Sequence, residues 1–299
     1  MRVLVTGAAG FLGSHLVERL VVDGHRVTAI DDLSGGRLAN LTEARKHKGL
    51  HIHRFDITER DLRDVVVRES PEVVCHLAVR RSPDAVADAL VNVAGTANLM
   101  QGCLAAGVER VILASDATAV YAPATRPVSE RAGLGPLTAF GASKLAAEGY
   151  LESSGVPGVV LRFASLYGPR RLTGVVASFA RSMARATPAT VYGDGTAARD
   201  LLHVEDAVDA VLRCLGGKAD GRRLNIGTGE AITVRRLHTE LAALAGAPDA
   251  PEFAAARPGE VDRIAVDSGS ARRALGWEST VALVDGLAET LEWHRAGKR

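Results

Sequence analysis

Cysteine is scarce: the 299 residues hold three, Cys75, Cys103 and Cys214, all far apart. Such spacing makes neither a disulfide framework nor a metal knuckle, and a reducing cytosol is the expected setting. An excess of one charge is missing too. The 36 basic side chains face 35 acidic ones, a net charge of +1, so no global basic excess matches a nucleic-acid or anionic-membrane surface. No apolar run is long enough to span a bilayer. The first residues enter a strand without the charged segment and apolar core of a signal peptide. There is no internal repeat and no low-complexity tract. Present instead is a 47% hydrophobic fraction, enough for a substantial core in one large or two modest domains.

The opening stretch organises the rest. A β-branched run ends at Thr6, glycines follow at Gly7, Gly10 and Gly13, and Leu12, Leu16 and Leu20 then recur at helical spacing. This reads as strand, tight turn and helix. The first glycine permits the turn, the second admits a pyrophosphate, and the third lets helix pack on strand. The helix N-terminus then faces the phosphates. A lone glycine triad also fits an ordinary turn. Here, however, a second strand over 26–30 ends in Asp31 and Asp32, at the distance expected for a carboxylate on an adenosine ribose. An acid there repels a 2′-phosphate, so NAD is favoured over NADP.

Further strands are expected over 51–55, 73–78, 110–114 and 159–163, with helices over 62–68, 85–106 (interrupted near Asn92 and Gly95) and 138–154. Five or six strands alternating with helices predict an α/β fold with a Rossmann-type, doubly wound parallel sheet. Asp56 and Ile57 lie at a strand's carboxyl end, where they could border the adenine. His51 and His53 share a strand face as two metal ligands would, but no third ligand accompanies them and they are read as solvent-facing. Beyond Phe163 the rhythm breaks into loops around 167–171 and 191–195 and helices over 175–186, 204–215, 234–244 and 282–295, with a strand at 224–226. Residues 1–164, with 203–227 returning to them, form the expected NAD-binding domain. Residues 165–202 and 228–299 form a smaller nucleotide-sugar-binding lobe.

These motifs, with Asn92-Val93-Ala94-Gly95-Thr96, Tyr167-Gly168-Pro169-Arg170, Arg199-Asp200, His203-Val204-Glu205-Asp206 and Leu275-Gly276-Trp277, run in one order along nearly the whole chain. The chain resembles the extended short-chain dehydrogenase/reductase family of NAD-dependent nucleotide-sugar epimerases and dehydratases, with the closest look being that of bacterial UDP-glucose 4-epimerases. The resemblance implies that Gly7, Gly10, Phe11, Leu12, Gly13, Asp31, Asp32, Ser34, Asp56, Ile57, Leu77, Ala78 and Asn92 line NAD. Lys144 is implied to bond its nicotinamide ribose. By the same resemblance Ser165, Val191, Arg199 and Arg257 face a UDP-sugar, the two arginines gripping its diphosphate. Such enzymes are often homodimers paired through the helices near 89–106 and 138–154. Their chemistry removes the sugar 4-hydroxyl proton as hydride passes to NAD. The tethered ketone then turns and takes the hydride back on its other face.

Two departures stand at the centre of that chemistry. The family's base is the tyrosine of Tyr-x-x-x-Lys, four residues from the lysine and so on one helix face with it. Here the tyrosine's place holds Phe140, with Lys144 retained. The usual hydroxyl four residues before Tyr121 is replaced by Ala117, leaving Ser115, Asp116 and Thr118 nearby. Thr118 and Ala119 occupy the places of the dehydratase acids and decarboxylase glutamate, so those reactions lose support. The loops after Ala78 and Arg171 also read as shortened. Three readings remain. Phe140 is a Tyr→Phe change made to trap substrate, or the proton is handled by Asp116, Thr118 or a substrate group, or the chain is a silent NAD- and nucleotide-sugar-binding protein.

Overall fold

The structure is a computed structural model that describes residues 1–256 and 263–297. Its first elements are strand β1 (Arg2–Thr6), helix α1 (Phe11–Val22), β2 (Arg26–Asp31), β3 (Leu50–Arg54), α2 (Leu62–Glu69) and β4 (Val73–His76). Then come α3 (Ala85–Ala89), α4 (Thr96–Ala106), β5 (Arg110–Asp116), the one-turn α5 (Ala117–Val120), α6 (Ala139–Ser153) and β6 (Gly158–Phe163). The remainder is β7 (Ser165–Tyr167), α7 (Val175–Ala184), β8 (Thr190–Tyr192), β9 (Ala198–His203), α8 (Val204–Cys214), β10 (Arg223–Ile226) and β11 (Ala231–Thr233). It closes with α9 (Val234–Ala245), β12 (Glu252–Ala254), β13 (Arg263–Ile264), α10 (Gly269–Leu275) and α11 (Leu283–Arg295).

A seven-stranded sheet runs in the order β10-β6-β5-β4-β1-β2-β3. Every neighbouring pair in it is parallel, so its crossovers cover both faces. Period-two alternation shares β1 between two cores. Val3 and Val5 pack with Leu16, Leu20, Val208 and Val211 on one face, while Leu4 packs with Leu99, Met100 and Leu151 on the other. The doubly wound sheet is as expected, but with seven strands rather than five or six. The seventh is β10, the strand expected at 224–226, which pairs with β6 at the edge of the sheet.

The second half carries a four-stranded sheet, with β11 and β13 beside β9 and β7 continuing along it, plus the pair β8–β12. Apart from the six-residue β9 these strands are too short to show a period, and the sequence reads only 167–171 and 191–195, where β7 and β8 end, as loops. Val191, expected in a turn, is the middle of β8; the turn begins at Gly193, whose φ is +73°. A separate core forms there from Tyr167, Phe179, Val191, Leu201, Leu237, Leu287 and Leu291.

Two sequence motifs turn out to be joints. Asp206, at the start of α8, accepts hydrogen bonds from Thr280 N (2.9 Å), Thr280 Oγ1 (2.8 Å) and Val281 N (3.2 Å), while Trp277 Nε1 donates to its carbonyl at 3.0 Å. Asp200, buried, accepts from Thr228 N and Oγ1, Gly229 N and Val266 N. Burial raises its pKa and these donors oppose the rise. The three cysteines are unpaired and buried, and burial pushes the Cys103 and Cys214 thiols up to about 12. His53 pairs with Glu69 at 3.3 Å on the edge strand, and no metal-holding group of His, Cys, Asp or Glu occurs among the described residues.

Candidate active site

The glycine turn has the geometry a dinucleotide requires. Gly7 has φ +67°, and a Cβ there would lie 2.7 Å from Ala78 N. A Cβ on Gly13 would lie 2.1 Å from Gly7 O, so only glycine lets α1 sit on the turn. Gly10 caps α1 without a side-chain hydrogen bond, and no acid occupies the first helical turn. Among the described residues no acid accepts a hydrogen bond from Phe11 N or Leu12 N, which fits a pyrophosphate there.

Asp31 ends β2 with its carboxylate turned toward this loop. Oδ2 accepts from Ala9 N at 2.9 Å and Oδ1 from Leu33 N at 2.8 Å. Its pKa is raised by burial, with those hydrogen bonds opposing. Asp32 shapes the following loop by accepting from Ser34 N and Oγ at 3.0 and 2.8 Å. Asp56 does the same for Thr58, at 2.8 Å each. Gly36 escaped the sequence reading: a Cβ there would meet Asp31 Oδ1 at 2.7 Å and Ala9 C at 2.9 Å. Its only signal is a Gly-Gly pair after Asp31-Asp32.

Leu77 and Ala78 follow β4, where their N–H groups bond Thr6 O and Thr6 Oγ1, both at 3.2 Å. Buried Ile57 packs where a Gly95 side chain would stand, 2.7 Å from that missing Cβ. The interruption expected in helix 85–106 is a π-turn over Leu90–Gly95. It turns Asn92 inward. There Asn92 Oδ1 accepts from Arg80 N at 2.8 Å, and Nδ2 donates to Arg80 O at 2.8 Å and Ser143 Oγ at 2.9 Å. The Asn92 amide is thus fully engaged within the protein. Ser143 Oγ donates in turn to Phe140 O at 2.8 Å.

The reacting end gathers at the carboxyl end of β5. Asp116 caps α5, its Oδ1 accepting from Thr118 N at 2.9 Å and Thr118 Oγ1 at 2.6 Å. The Thr118 hydroxyl is therefore engaged, and among the described residues Oδ2 of half-buried Asp116 accepts no hydrogen bond. Ser115 Oγ donates to Glu148 Oε1 at 2.5 Å, deep in the fold. Lys144 is buried with Nζ donating to Ala114 O at 2.6 Å. Burial lowers its pKa to about 8, against the pull of Asp116 and Glu148. Phe140 is 8% exposed and Ala117 is fully buried.

Behind this end runs a buried network that the sequence did not reveal. Arg162 grips Glu148 through Nε (3.0 Å) and Nη2 (2.6 Å), and its Nη1 donates to Tyr121 Oη at 2.8 Å. Tyr121 donates to Asn225 Oδ1 at 2.9 Å. Arg162 reads as one charge in an apolar strand, and that interruption was the available signal. His76 bridges Thr6 Oγ1 (2.7 Å) and Thr96 Oγ1 (2.9 Å), and burial lowers its pKa to about 3, so it stays neutral.

The other expected ligand-facing residues lie in the smaller lobe. Ser165 opens β7 beside Leu201 of β9. Arg199 is half-buried on β9, with Nη1 donating to Ala198 O at 3.0 Å. The Val191 side chain is wholly in the core, which leaves only its backbone for a ligand. Arg257 lies outside the described residues.

A parallel sheet with an uncapped glycine-turn helix, and a second lobe at the carboxyl ends of its strands, defines a dinucleotide-binding protein of the short-chain dehydrogenase/reductase type. Residues 3–227 match the NAD dependent epimerase/dehydratase family, and the chain belongs to that family, whose cofactor is NAD. It is 41% identical over 309 residues to the UDP-glucose 4-epimerase of Mycolicibacterium smegmatis, covering 99% of each chain. Its fold is similar to the UDP-glucose 4-epimerase of Thermotoga maritima, solved with UDP-glucose, at TM-score 0.94, 33% identity and 100% of both chains. The Thermus thermophilus UDP-glucose 4-epimerase, solved with NAD, follows at TM-score 0.90, 34% identity and 99% of both chains.

Proposed function

We propose that the chain is an NAD-dependent UDP-sugar 4-epimerase-type enzyme whose proton-transfer group is Asp116 in place of the family's tyrosine. The observation that carries this reading is Oδ2 of Asp116, which accepts no hydrogen bond among the described residues, at the carboxyl end of β5 beside buried Lys144. When bound, NAD supplies the reversible two-electron oxidation at the sugar carbon. Gly7, Gly10, Phe11, Leu12 and Gly13 hold its pyrophosphate by backbone N–H groups. Asp31, with Asp32 and Ser34 shaping the loop, takes the adenosine ribose. Asp56, Ile57, Leu77, Ala78, Asn92 and Lys144 border the rest. Ser165, the Val191 backbone, Arg199 and Arg257 hold the UDP-sugar.

Asp116 Oδ2 takes the proton of the sugar 4-hydroxyl and gives it back after the ketone has turned. Thr118 fixes the rotamer of Asp116 through its two hydrogen bonds to Oδ1. An aspartate is a weaker base than an activated phenol, so turnover is expected to be slow. Released ligands identified by mass spectrometry after denaturation should include NAD. The protein should interconvert the 4-epimers of a UDP-sugar, and Asp116→Asn, which still caps α5, should lower kcat about 10²- to 10⁴-fold. Activity unchanged in Asp116→Asn would remove the proposed base.

A second reading is favoured by the loss of both usual oxygens at Phe140 and Ala117: a silent NAD- and nucleotide-sugar-binding protein. Binding of NAD and UDP-sugar with no turnover in any variant selects it. We further propose the domain division given above, a cytoplasmic setting, and a homodimer built on α4 and α6. The exposed apolar Leu90, Leu104 and Tyr150 around those helices favour the pairing. Light scattering that returns a monomer mass would remove it. No helix among the described residues is long and apolar enough to cross a membrane.

A further inference from the structure

Ser115 carries a hydroxyl beside the reacting end, yet that hydroxyl is turned into the fold and bonded there. The residues around it are the overhanging tip of β5. Strand β4 pairs with β5 only as far as Leu113, while β6 continues, with Arg162 opposite Ser115 and Phe163 opposite Asp116. Among the described residues, Ala114, Ser115 and Asp116 therefore have a strand partner on one side alone. Asp116, the last of them, holds the proton-transfer group proposed above.

Helix α6 holds this tip at two successive residues. Its Phe140, Lys144 and Glu148 are buried and follow one another at four-residue spacing, so they share a face. Lys144 Nζ donates to Ala114 O at 2.6 Å, and Ser115 Oγ donates to Glu148 Oε1 at 2.5 Å. Glu148 is itself a fixed point. Arg162 grips it from the neighbouring strand, through Nε to Oε1 (3.0 Å) and Oε2 (3.2 Å) and through Nη2 to Oε2 (2.6 Å). Arg162 alone thus gives both carboxylate oxygens a donor, and the Ser115 hydroxyl is not what keeps the buried charge paired. What Ser115 adds is a link from that junction to the residue immediately before Asp116.

We propose that Ser115 is a positioning residue, whose bond to Glu148 holds the tip of β5 so that Asp116 stands in register with α6 and the bound sugar. Ser115 touches neither sugar nor cofactor and acts through Asp116. The assignment rests on the reading of Asp116 as the proton-transfer group. A displacement of about 1 Å at a reacting group costs on the order of 10²-fold in rate. A tip that its sheet holds from one side is where such a displacement starts, and the Ser115–Glu148 bond closes the other side.

The test compares Ser115→Ala, Asp116→Asn and the double variant, each loaded with NAD, in UDP-sugar 4-epimerisation and in calorimetric binding of UDP. Ser115→Ala should lower kcat about tenfold or more, with NAD retained and KM and UDP affinity unchanged. In the Asp116→Asn background the same change should lower the residual kcat no further, because it acts through that carboxylate. An unaltered kcat in Ser115→Ala, with Asp116→Asn impaired, overturns the positioning role alone. So does an equal fractional loss in both backgrounds, or a loss of NAD or UDP binding, since either makes Ser115 a structural residue only. Full activity in Asp116→Asn, or no turnover by the unmodified protein, overturns the Asp116 reading and the positioning role together.

Discussion

An oxygen added to Phe140 meets a ring that is 8% exposed and lies beneath the Arg81 guanidinium, so Phe140→Tyr alters chemistry with little change in packing. The new phenol stands one helical turn from Lys144, which favours its ionised form. UDP-sugar 4-epimerisation should rise at least about tenfold, toward the 10²–10⁴ range of a restored base. The double change with Ala117→Ser should exceed it if the second oxygen is needed. The wild-type pH profile reads Lys144 directly. With its pKa held down at about 8 by burial, its ammonium persists below that pH and supports Asp116, so kcat should fall as pH rises through about 8. Lys144→Met should remove that limb. Stability moves the other way. The unfolded amine titrates near the ordinary 10.5 and binds more protons than the folded one between about 8 and 10.5, so stability rises with pH across that window.

At the scale of single elements, the sharpest expectation concerns the start of α1. Gly13→Ala puts a Cβ 2.1 Å from Gly7 O, so helix or turn must shift. NAD should no longer copurify, and the melting temperature should drop; retained NAD would show that the turn tolerates the displacement. Gly13 and the strand before it were legible because period and spacing are local. So were α6, expected over 138–154 and found over 139–153 with Thr138 capping it through Gly141 N at 3.1 Å, and the break at Asn92. The short strands were not. β7, β11 and β13 exist because β9 offers them backbone partners, and pairing leaves no mark in a stretch of two or three residues. The site divides in the same way. Asp116 and Thr118 stood out as neighbours in sequence. The contacts of Glu148 with Ser115 and Arg162, and of Asp88 with Ser82, join residues whose spacing carries no period.

Across the molecule, the Arg162–Glu148 pair is the buried charge on which the far side of the sheet depends, with side chains 1% and 3% exposed. Removing one partner leaves the other uncompensated, and Glu148→Gln should destabilise the protein by about 3–5 kcal/mol, read from urea unfolding. A change below about 1 kcal/mol would mean that Tyr121 and Asn225 satisfy Arg162 on their own. The tie between the Gly168–Arg171 loop and α1, through Arg170–Glu18 and Pro169–His15, gives the smaller lobe its hold on the glycine-turn helix. One consequence belongs to synthesis on the ribosome. Strand β10 borders β6, yet the chain reaches it only after β7, β8, β9 and α8 have been made. Until then β6 is a bare edge, open to pairing with another nascent chain. A gene cut after residue 164 should therefore yield mostly insoluble product, and one cut after residue 227 a larger soluble share. The proposed division into lobes is spatial, and the order of manufacture does not follow it.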